Sequence, residues 1–459
     1  MTDQTAASAP LAAIILAAGK GTRMKSDLHK VLHPLAGRPM LMHLLDSLST
    51  AGVARQVVIV GASGEQVEAA VQDRGVAIAW QQEQLGTAHA ALQARDALTD
   101  FDGIAIVCFG DTPLLAAATV ARLAARLQAA DAPAVAVLGF RPADPAAYGR
   151  VIAAADGTME RIVEYKDASP EERAVTLCNS GVTAVRTADL WRLLAAVGND
   201  NAAGEYYLPD VVGLAIAEGR RAVVIETGAD EVAGINSRAE LAAVEAAWQA
   251  ARRVRAMAEG ATLIAPETVW FAHDTVIGRD VTIEPHVFFG PGVRVADGAT
   301  IHGFSHIEGA EVGPGAEVGP YARLRPGAVL GAKSKVGNFV EIKKATLGEG
   351  AKANHLTYLG DAEIGAGSNI GAGTITCNYD GFFKYRTVIG AGTFIGSNSA
   401  LVAPVTIGDG AIVGAGSVVT SDVEADALAL VRAERQTKPG WAARFRERAK
   451  ALKARKAAR

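Results

Sequence analysis

The sequence predicts two architectures in one chain, an α/β domain and a parallel β-helix of hexapeptide repeats, joined by a helix. Three observations predict them. Between Leu11 and about Asn236, short apolar runs alternate with amphipathic ones. From Ser237 to Gly260 strong helix formers replace both. Beyond about Val276 an aliphatic or aromatic residue recurs at every sixth position. The domain ranges are therefore drawn as 1–236, 237–260 and 261–459.

In the first range AAIILAAG, QVVIVGAS, GIAIVCFGD, APAVAVLGF and RAVVIETG have strand length and β-rich composition. Helix-like runs such as Thr119 to Ala130 and Asp189 to Val197 separate them. Apolar strands alternating with amphipathic helices imply parallel strands covered on both faces. In the second range Ser237 is placed to cap a helix, with Glu240 three residues on and Gly260 as a stop. In the third, Ile277, Ile283, Phe289, Val295, Ile301 and Ile307 mark one run of hexads. After a one-residue slip, Val312, Val318, Leu324, Leu330, Val336 and Ile342 continue it, and Ile389, Ile395, Leu401, Ile407, Val413 and Val419 resume it. One inward side chain per hexad describes a three-sided parallel solenoid, with glycine relieving crowding at the turns. An interruption between Ile370 and Ile389, ITCNYDGFFKYRT, is where function is expected in so regular a coil.

A chain of 459 residues exceeds one ordinary core, which agrees with several domains. Half of its residues are hydrophobic and its net charge is −4, which gives no reason to expect nucleic-acid or membrane binding. Cys108, Cys178 and Cys377 are too few and scattered for a disulfide framework or zinc site. With no signal-peptide pattern and no apolar run of spanning length, a cytoplasmic location is expected. Arg444 to Arg459 carries eight Lys/Arg against Glu447 alone. No aromatic series accompanies these charges, so the segment reads as a solvated, partly helical tail.

LAAGKGTRM, Leu16 to Met24, follows a buried strand. It lacks the Walker spacing, and Met24 stands where a dinucleotide fingerprint needs a small residue. Backbone amides in such a turn still suit phosphate, and Lys20, Arg23, Lys25 and Lys30 add positive charge. Gln81 to Thr87 (QQEQLGT) and Phe109 to Leu114 (FGDTPL) follow, with Asp111 just past an apolar strand, where α/β folds bind ligands. Together these motifs resemble the sugar-nucleotide pyrophosphorylase family. Tyr148-Gly149-Arg150, Ile162 to Asp167, Asn179-Ser180-Gly181, Gly204 to Tyr207 and Gly234 to Ser237 narrow the resemblance to the uridylyltransferase half of the bifunctional GlmU family, which makes UDP-N-acetylglucosamine.

That resemblance implies a Rossmann-like nucleotidyltransferase domain. Leu16, Ala17, Ala18, Gly19, Gln81, Gly86 and Thr87 would hold the uridine, with Phe109 and Gly110 lining the same site. Gly149, Glu164 and Asn179 would hold the sugar, and Asp111 and Asn236 a Mg²⁺, a hard cation suited to oxygen ligands. Arg23 and Lys30 would neutralise the triphosphate. The sugar phosphate would attack the α-phosphorus of UTP in line, which positioning and charge neutralisation can carry without a covalent enzyme intermediate. Phe109 stands where many relatives have Tyr, and Ser237 replaces a common Asn.

Arg323 to Gly327, Gly337 to Lys344, His355 to Asp361 (HLTYLGD) and Asn369 to Tyr379 (NIGAGTITCNY) resemble the acetyltransferase half of the same family. The resemblance covers nearly all the chain and implies a left-handed coil, a homotrimer, and acetyl-CoA and UTP as co-substrates. The products would feed peptidoglycan and lipopolysaccharide synthesis. Acetyl transfer to glucosamine-1-phosphate needs a base for the amine, and the imidazole of His355 suits that task near neutral pH. Glu341 is its partner by resemblance. Arg325, Lys343, Tyr358 and Asn369 would clamp the sugar phosphate. Asn378 and Tyr379 would position amine and acetyl group, and Ala372, Ser397, Ala415 and Arg432 would line the CoA path. His273, His286, His302 and His306 read as structural, and Cys377 as a packing residue rather than an acetyl carrier. Two other readings are weighed: a monofunctional hexose-1-phosphate nucleotidyltransferase with a structural β-helix, and an interaction protein built from the same folds.

Overall fold

A computed structural model describes residues 9–145 and 147–457. The outer ends of the ranges 1–236 and 261–459 therefore lie outside the described residues. The chain divides into two compact units, one of Met1–Arg255 with Phe271–His273, the other of Ala256–Trp270 with Asp274–Arg459.

In the first unit seven strands form the backbone of a mixed sheet: β1 (Leu11–Ala17), β2 (Val53–Val60), β3 (Ala77–Trp80), β4 (Ile104–Phe109), β5 (Val135–Phe140), β6 (Cys178–Arg186) and β7 (Ala222–Glu226). Their order is β7-β5-β6-β4-β1-β2-β3. Alternate residues face two cores, Ala13 and Ile15 with Ile106 and Cys108 on one side, Ala12 and Ile14 with Ala105 and Val107 on the other. Helices Met40–Thr50 and Ala117–Leu127 cover the first face and Thr187–Ala196 and Asp210–Ala217 the second with aliphatic stripes, which is why the strands read as continuous apolar runs. The expectation of parallel strands needs one correction. β6 runs antiparallel between β4 and β5. Its opening residues, Asn179-Ser180-Gly181, have turn composition, and they do form an irregularity in the pairing with Gly181 at φ +83°. A hairpin of Arg150–Ala153 and Met159–Val163 extends the sheet from β6.

The helix Arg238–Ala258 begins as its sequence suggests, with the Ser237 hydroxyl accepting from Glu240 N at 3.2 Å. The Glu240 carboxylate reaches back to Asn236 N at 2.6 Å, one residue beyond the amide that an ordinary capping box would engage. Further along, buried Gln249 bonds both N and O of Phe271.

The second unit is a coil of short parallel strands with three faces. Ten strands from Thr262–Leu263 to Leu428–Ala429 stack on one face. The other two faces join where Glu341–Leu347 and Tyr358–Ile364 run through a corner. Of the hexad residues predicted to point inward, all are buried except half-buried Ile277 in the opening turn. The one-residue slip leaves stacking intact, Ile301 pairing with Val318. The interruption is narrower than expected. Ile375–Cys377 remains a strand paired with Ala400–Val402, so the excursion is confined to 378–386. Glycine after the aliphatic residue serves close approach between turns: a Cβ on Gly337 would stand 2.0 Å from the Asn354 carbonyl oxygen.

The histidines read as structural have partners. His302 bonds Glu284 at 2.9 Å, His286 stacks on Phe304 and His306 on Phe288, while His273 meets His43 edge-on. His286, Phe304, Tyr321 and Phe339 form one corner column at positive φ, ring on ring at 4.8 to 5.3 Å. Left-handed backbone costs a non-glycine residue on the order of 1 kcal/mol, and aromatic stacking offsets a similar amount. The basic tail is a fully exposed helix, Trp441–Ala457. Among the described residues no helix is long and apolar enough to cross a membrane.

Candidate functional sites

In the first unit Leu16 to Gly19 and Phe109 to Asp111, expected to bind substrate, lie at the carboxyl ends of β1 and β4, where α/β folds place ligands. Leu16 and Ala17 end β1, Ala18 and Gly19 open the glycine-rich turn, and Gly110 N donates to Leu16 O at 3.0 Å. Gly21, at φ +59°, gives way to Lys30: a Cβ there would meet Lys30 Cβ at 2.7 Å. So placed, Lys30 Nζ bonds the Asp111 carboxylate and, at 3.1 Å, Asn236 Oδ1. Three residues singled out in distant motifs thus share one contact. Arg23 stands exposed on the short 3₁₀ turn Thr22–Met24. Ser237 leaves Asn236 well held, since the Glu240 carboxylate accepts its backbone N–H.

Nearby, buried Gln81 donates to Gly86 O at 3.1 Å and meets His89 Nδ1 at 3.0 Å, leaving its carbonyl oxygen as an acceptor. Gly86, at φ +116°, lies so close to Tyr206 that a Cβ would fall 2.5 Å from its carbonyl oxygen. Thr87 Oγ1 accepts from Leu208 N at 2.9 Å. Gly149, Glu164 and Asn179 also meet: Asn179 N donates to Gly149 O at 2.8 Å, and a Cβ on Gly149 would lie 3.0 Å from Glu164 Oε1. Burial, then the nearby Asp167 and Asp210, push the Glu164 carboxyl above its ordinary pKa. The Phe109 ring lies against Gly181, where any Cβ would come within 2.3 Å of it. Cys108 is buried and inert, its thiol pushed up to about 12 by desolvation.

In the coil, two neighbouring columns carry the predicted residues. One runs up a face through Arg325, Lys343 and Gly360, which are successive register neighbours. Arg325 Nη1 bonds Glu341 Oε1 at 2.7 Å. The Lys343 ammonium is crowded by that of Lys384 and by Arg325, which lowers its pKa. Three cations held this close suit an anion. Lys384, in the 378–386 excursion, escaped the sequence reading because no hexad phase places it. Gly360 leaves room for its neighbours: a Cβ would strike the Tyr358 hydroxyl at 2.3 Å and Asn378 Nδ2 at 2.9 Å. Asn378 Nδ2 bonds the Asp361 carboxylate, while Tyr379 stands exposed and donates to Gly381 O.

The other column follows a corner. His355 O accepts from Gly373 N, Ala372 O from Asn398 N and Ser397 O from Gly416 N. Gly396 packs on Ala415, and Gly416 on the Arg432 stem. His355, Ala372, Ser397, Ala415 and Arg432 therefore mark one edge of the coil. Two expectations differ from what is seen. Glu341 pairs with Arg325, while His355 Nδ1 takes Asn338 Oδ1 at 2.7 Å. Asn369 stands on the ten-stranded face, apart from the face that carries Arg325, Lys343 and Tyr358.

Residues 13–177 match the family model of the MobA-like NTP transferase domain, and residues 386–421 that of the bacterial transferase hexapeptide (six repeats). The chain is 67% identical over 459 residues to "Bifunctional protein GlmU" of Rhizorhabdus wittichii, covering 100% of both chains. It is 63% identical to the protein of that name in Sphingopyxis alaskensis, over 97% of this chain and 98% of the other. For Zymomonas mobilis the identity is 58%, over 96% and 98%.

Proposed function

This chain belongs to the bifunctional GlmU family and carries its uridyltransferase and acetyltransferase roles, and we propose how its own residues perform them. Acetyl transfer from acetyl-CoA to glucosamine-1-phosphate precedes uridylyl transfer from UTP to N-acetylglucosamine-1-phosphate. The observation that carries this reading is the corner column: a histidine sits on the same edge as the small residues that would flank an extended thioester donor.

In acetyl transfer Arg325, Lys343 and Lys384 hold the sugar phosphate by charge. His355 Nε2 accepts a proton from the substrate ammonium, freeing the nitrogen to attack the thioester carbon. A C–N bond forms, the C–S bond breaks, and the surplus proton leaves with CoA as its thiol. Because Asn369 lies on another face, one copy does not bring all the predicted residues together. A homotrimer, with the sugar phosphate held between copies, supplies the missing face.

In uridylyl transfer Gln81, Gly86 and Thr87 hold the uridine, and Gly149, Glu164 and Asn179 the sugar. Asp111 and Asn236 fit Mg²⁺: their two oxygens already converge on a cation, the Lys30 ammonium. Among the described residues no cluster of three or more His, Cys, Asp or Glu could hold a metal. A two-ligand site suits Mg²⁺, which takes its remaining ligands from water and phosphate. When bound it neutralises charge on the triphosphate. Arg23 and Lys30 add positive charge against the leaving pyrophosphate. Both co-substrates being cytoplasmic metabolites, we place the protein there.

A paired assay of the intact chain tests the reading. CoA release should require glucosamine-1-phosphate, and pyrophosphate release should require UTP with N-acetylglucosamine-1-phosphate. No CoA release, with glucose-1-phosphate serving equally well for pyrophosphate release, would favour the monofunctional alternative.

A further inference from the structure

We infer that Asn338 is a positioning residue for acetyl transfer, its side-chain amide holding His355 in the tautomer whose Nε2 can accept a proton. This rests on the reading of His355 as the base. The contact is short and specific: His355 Nδ1 lies 2.7 Å from Asn338 Oδ1. An amide oxygen can only accept, so Nδ1 carries the hydrogen, and in the neutral ring Nε2 is the nitrogen left with the lone pair.

The coil builds this pair in. Asn338 and His355 are register partners in the adjacent strands Lys335–Asn338 and Lys352–His355. Each precedes a residue with left-handed backbone, Phe339 at φ +56° and Leu356 at φ +51°, so both stand at the same point of the same corner. Leu356 N donates to Asn338 O at 3.1 Å, tying the two turns together just past the pair. Just before it, Gly337 permits backbone approach that no side chain would tolerate. The carboxylate expected to orient the imidazole, Glu341, is engaged by Arg325 instead.

A neutral orienting group has a chemical consequence. A carboxylate beside Nδ1 would stabilise the imidazolium and raise its proton affinity, whereas an amide fixes the tautomer with little effect on charge. Lys335, Lys352 and His302 line the cleft with this pair, and the carboxylates that face them are already engaged, Glu317 by Lys335 at 2.6 Å and Glu284 by His302 at 2.9 Å. Asn338 thus settles which nitrogen of the ring is free to take the proton, without a carboxylate's pull toward the imidazolium.

The test is made on the full-length protein labelled with ¹⁵N-histidine, His355 being assigned by its absence in His355→Gln. Wild type should show the Nδ1–H tautomer. Asn338→Ala should mix the tautomers and lower kcat for CoA release by about 10- to 100-fold, given what an unoriented base loses. KM for acetyl-CoA should hold within about threefold, and pyrophosphate release should be unchanged, as expected for a group that acts through the base. Asn338→Asp should restore much of the rate while moving the acid limb of the pH–rate profile upward. An Nε2–H tautomer in wild type would overturn the inference, and that measurement needs no variant to fold. So would Asn338→Ala with kcat within about twofold of wild type, or a loss of rate that Asp does not rescue while the tautomer stays put. If His355→Gln left acetyl transfer intact, the base itself would be misread, and the inference would fall with it.

Discussion

Lys30 meets Asp111 and Asn236 across sequence separations of 81 and 206 residues. Arg325 meets Glu341, and His355 meets Asn338, across 16 and 17. The first unit assembles its site from loops at the ends of several strands, so each contact depends on the whole sheet folding. The coil assembles its site from consecutive turns, so a contact depends on two neighbouring rungs. In a solenoid the partner of any residue stands one turn away, and local stacking decides the geometry.

Substitutions can break or sharpen this contrast. The largest effect is expected for His355→Ala, which should lower CoA release by about 10³-fold, within the range for losing a general base, while pyrophosphate release survives. Asp111→Ala should do the reverse, costing uridylyl transfer about 10²-fold, the scale of a lost electrostatic contact at a phosphoryl centre. If either change silences both activities in folded protein, the sites are not independent and the contrast fails. Arg325→Ala should raise KM for glucosamine-1-phosphate about tenfold, the usual worth of a charge-assisted hydrogen bond, with little change in the pH profile. A changed profile would mean that Arg325 and Glu341 act on His355 after all.

The smallest effect is one of stability. Burial favours the protonated form of Glu164, so its folded-state pKa lies above its unfolded one. Its contribution is favourable below the ordinary carboxylate range and is lost as pH rises through the raised value. Glu164→Gln should therefore raise Tm by about 2 °C at about pH 7 and by nothing near about pH 4, as thermal scans at the two pH values would show. An equal gain at both would point to packing rather than charge.

The same contrast explains what could be read in the sequence. The hexad period fixed in advance which side chains face inward, because each rung repeats one local rule. It did not place Lys384, whose segment leaves the rule, and it passed over Asn338 although one turn of the coil separates it from His355. Counting back a single rung from His355 would have found that pairing. In the first unit β6 was hidden by turn-forming residues at its start, and its direction follows from long-range packing. Lys30, Asp111 and Asn236 were found by motif alone, since nothing in their spacing says that they meet.

The excursion at 378–386 leaves the coil around it undisturbed. On either side of it the ladders stay in step, Ile364 with Ile389 and Asn369 with Phe394. A staircase that keeps its tread height around an added landing can be furnished without being rebuilt. New recognition elements can arise there by insertion and be tuned residue by residue, while the apolar shaft beneath keeps its fit.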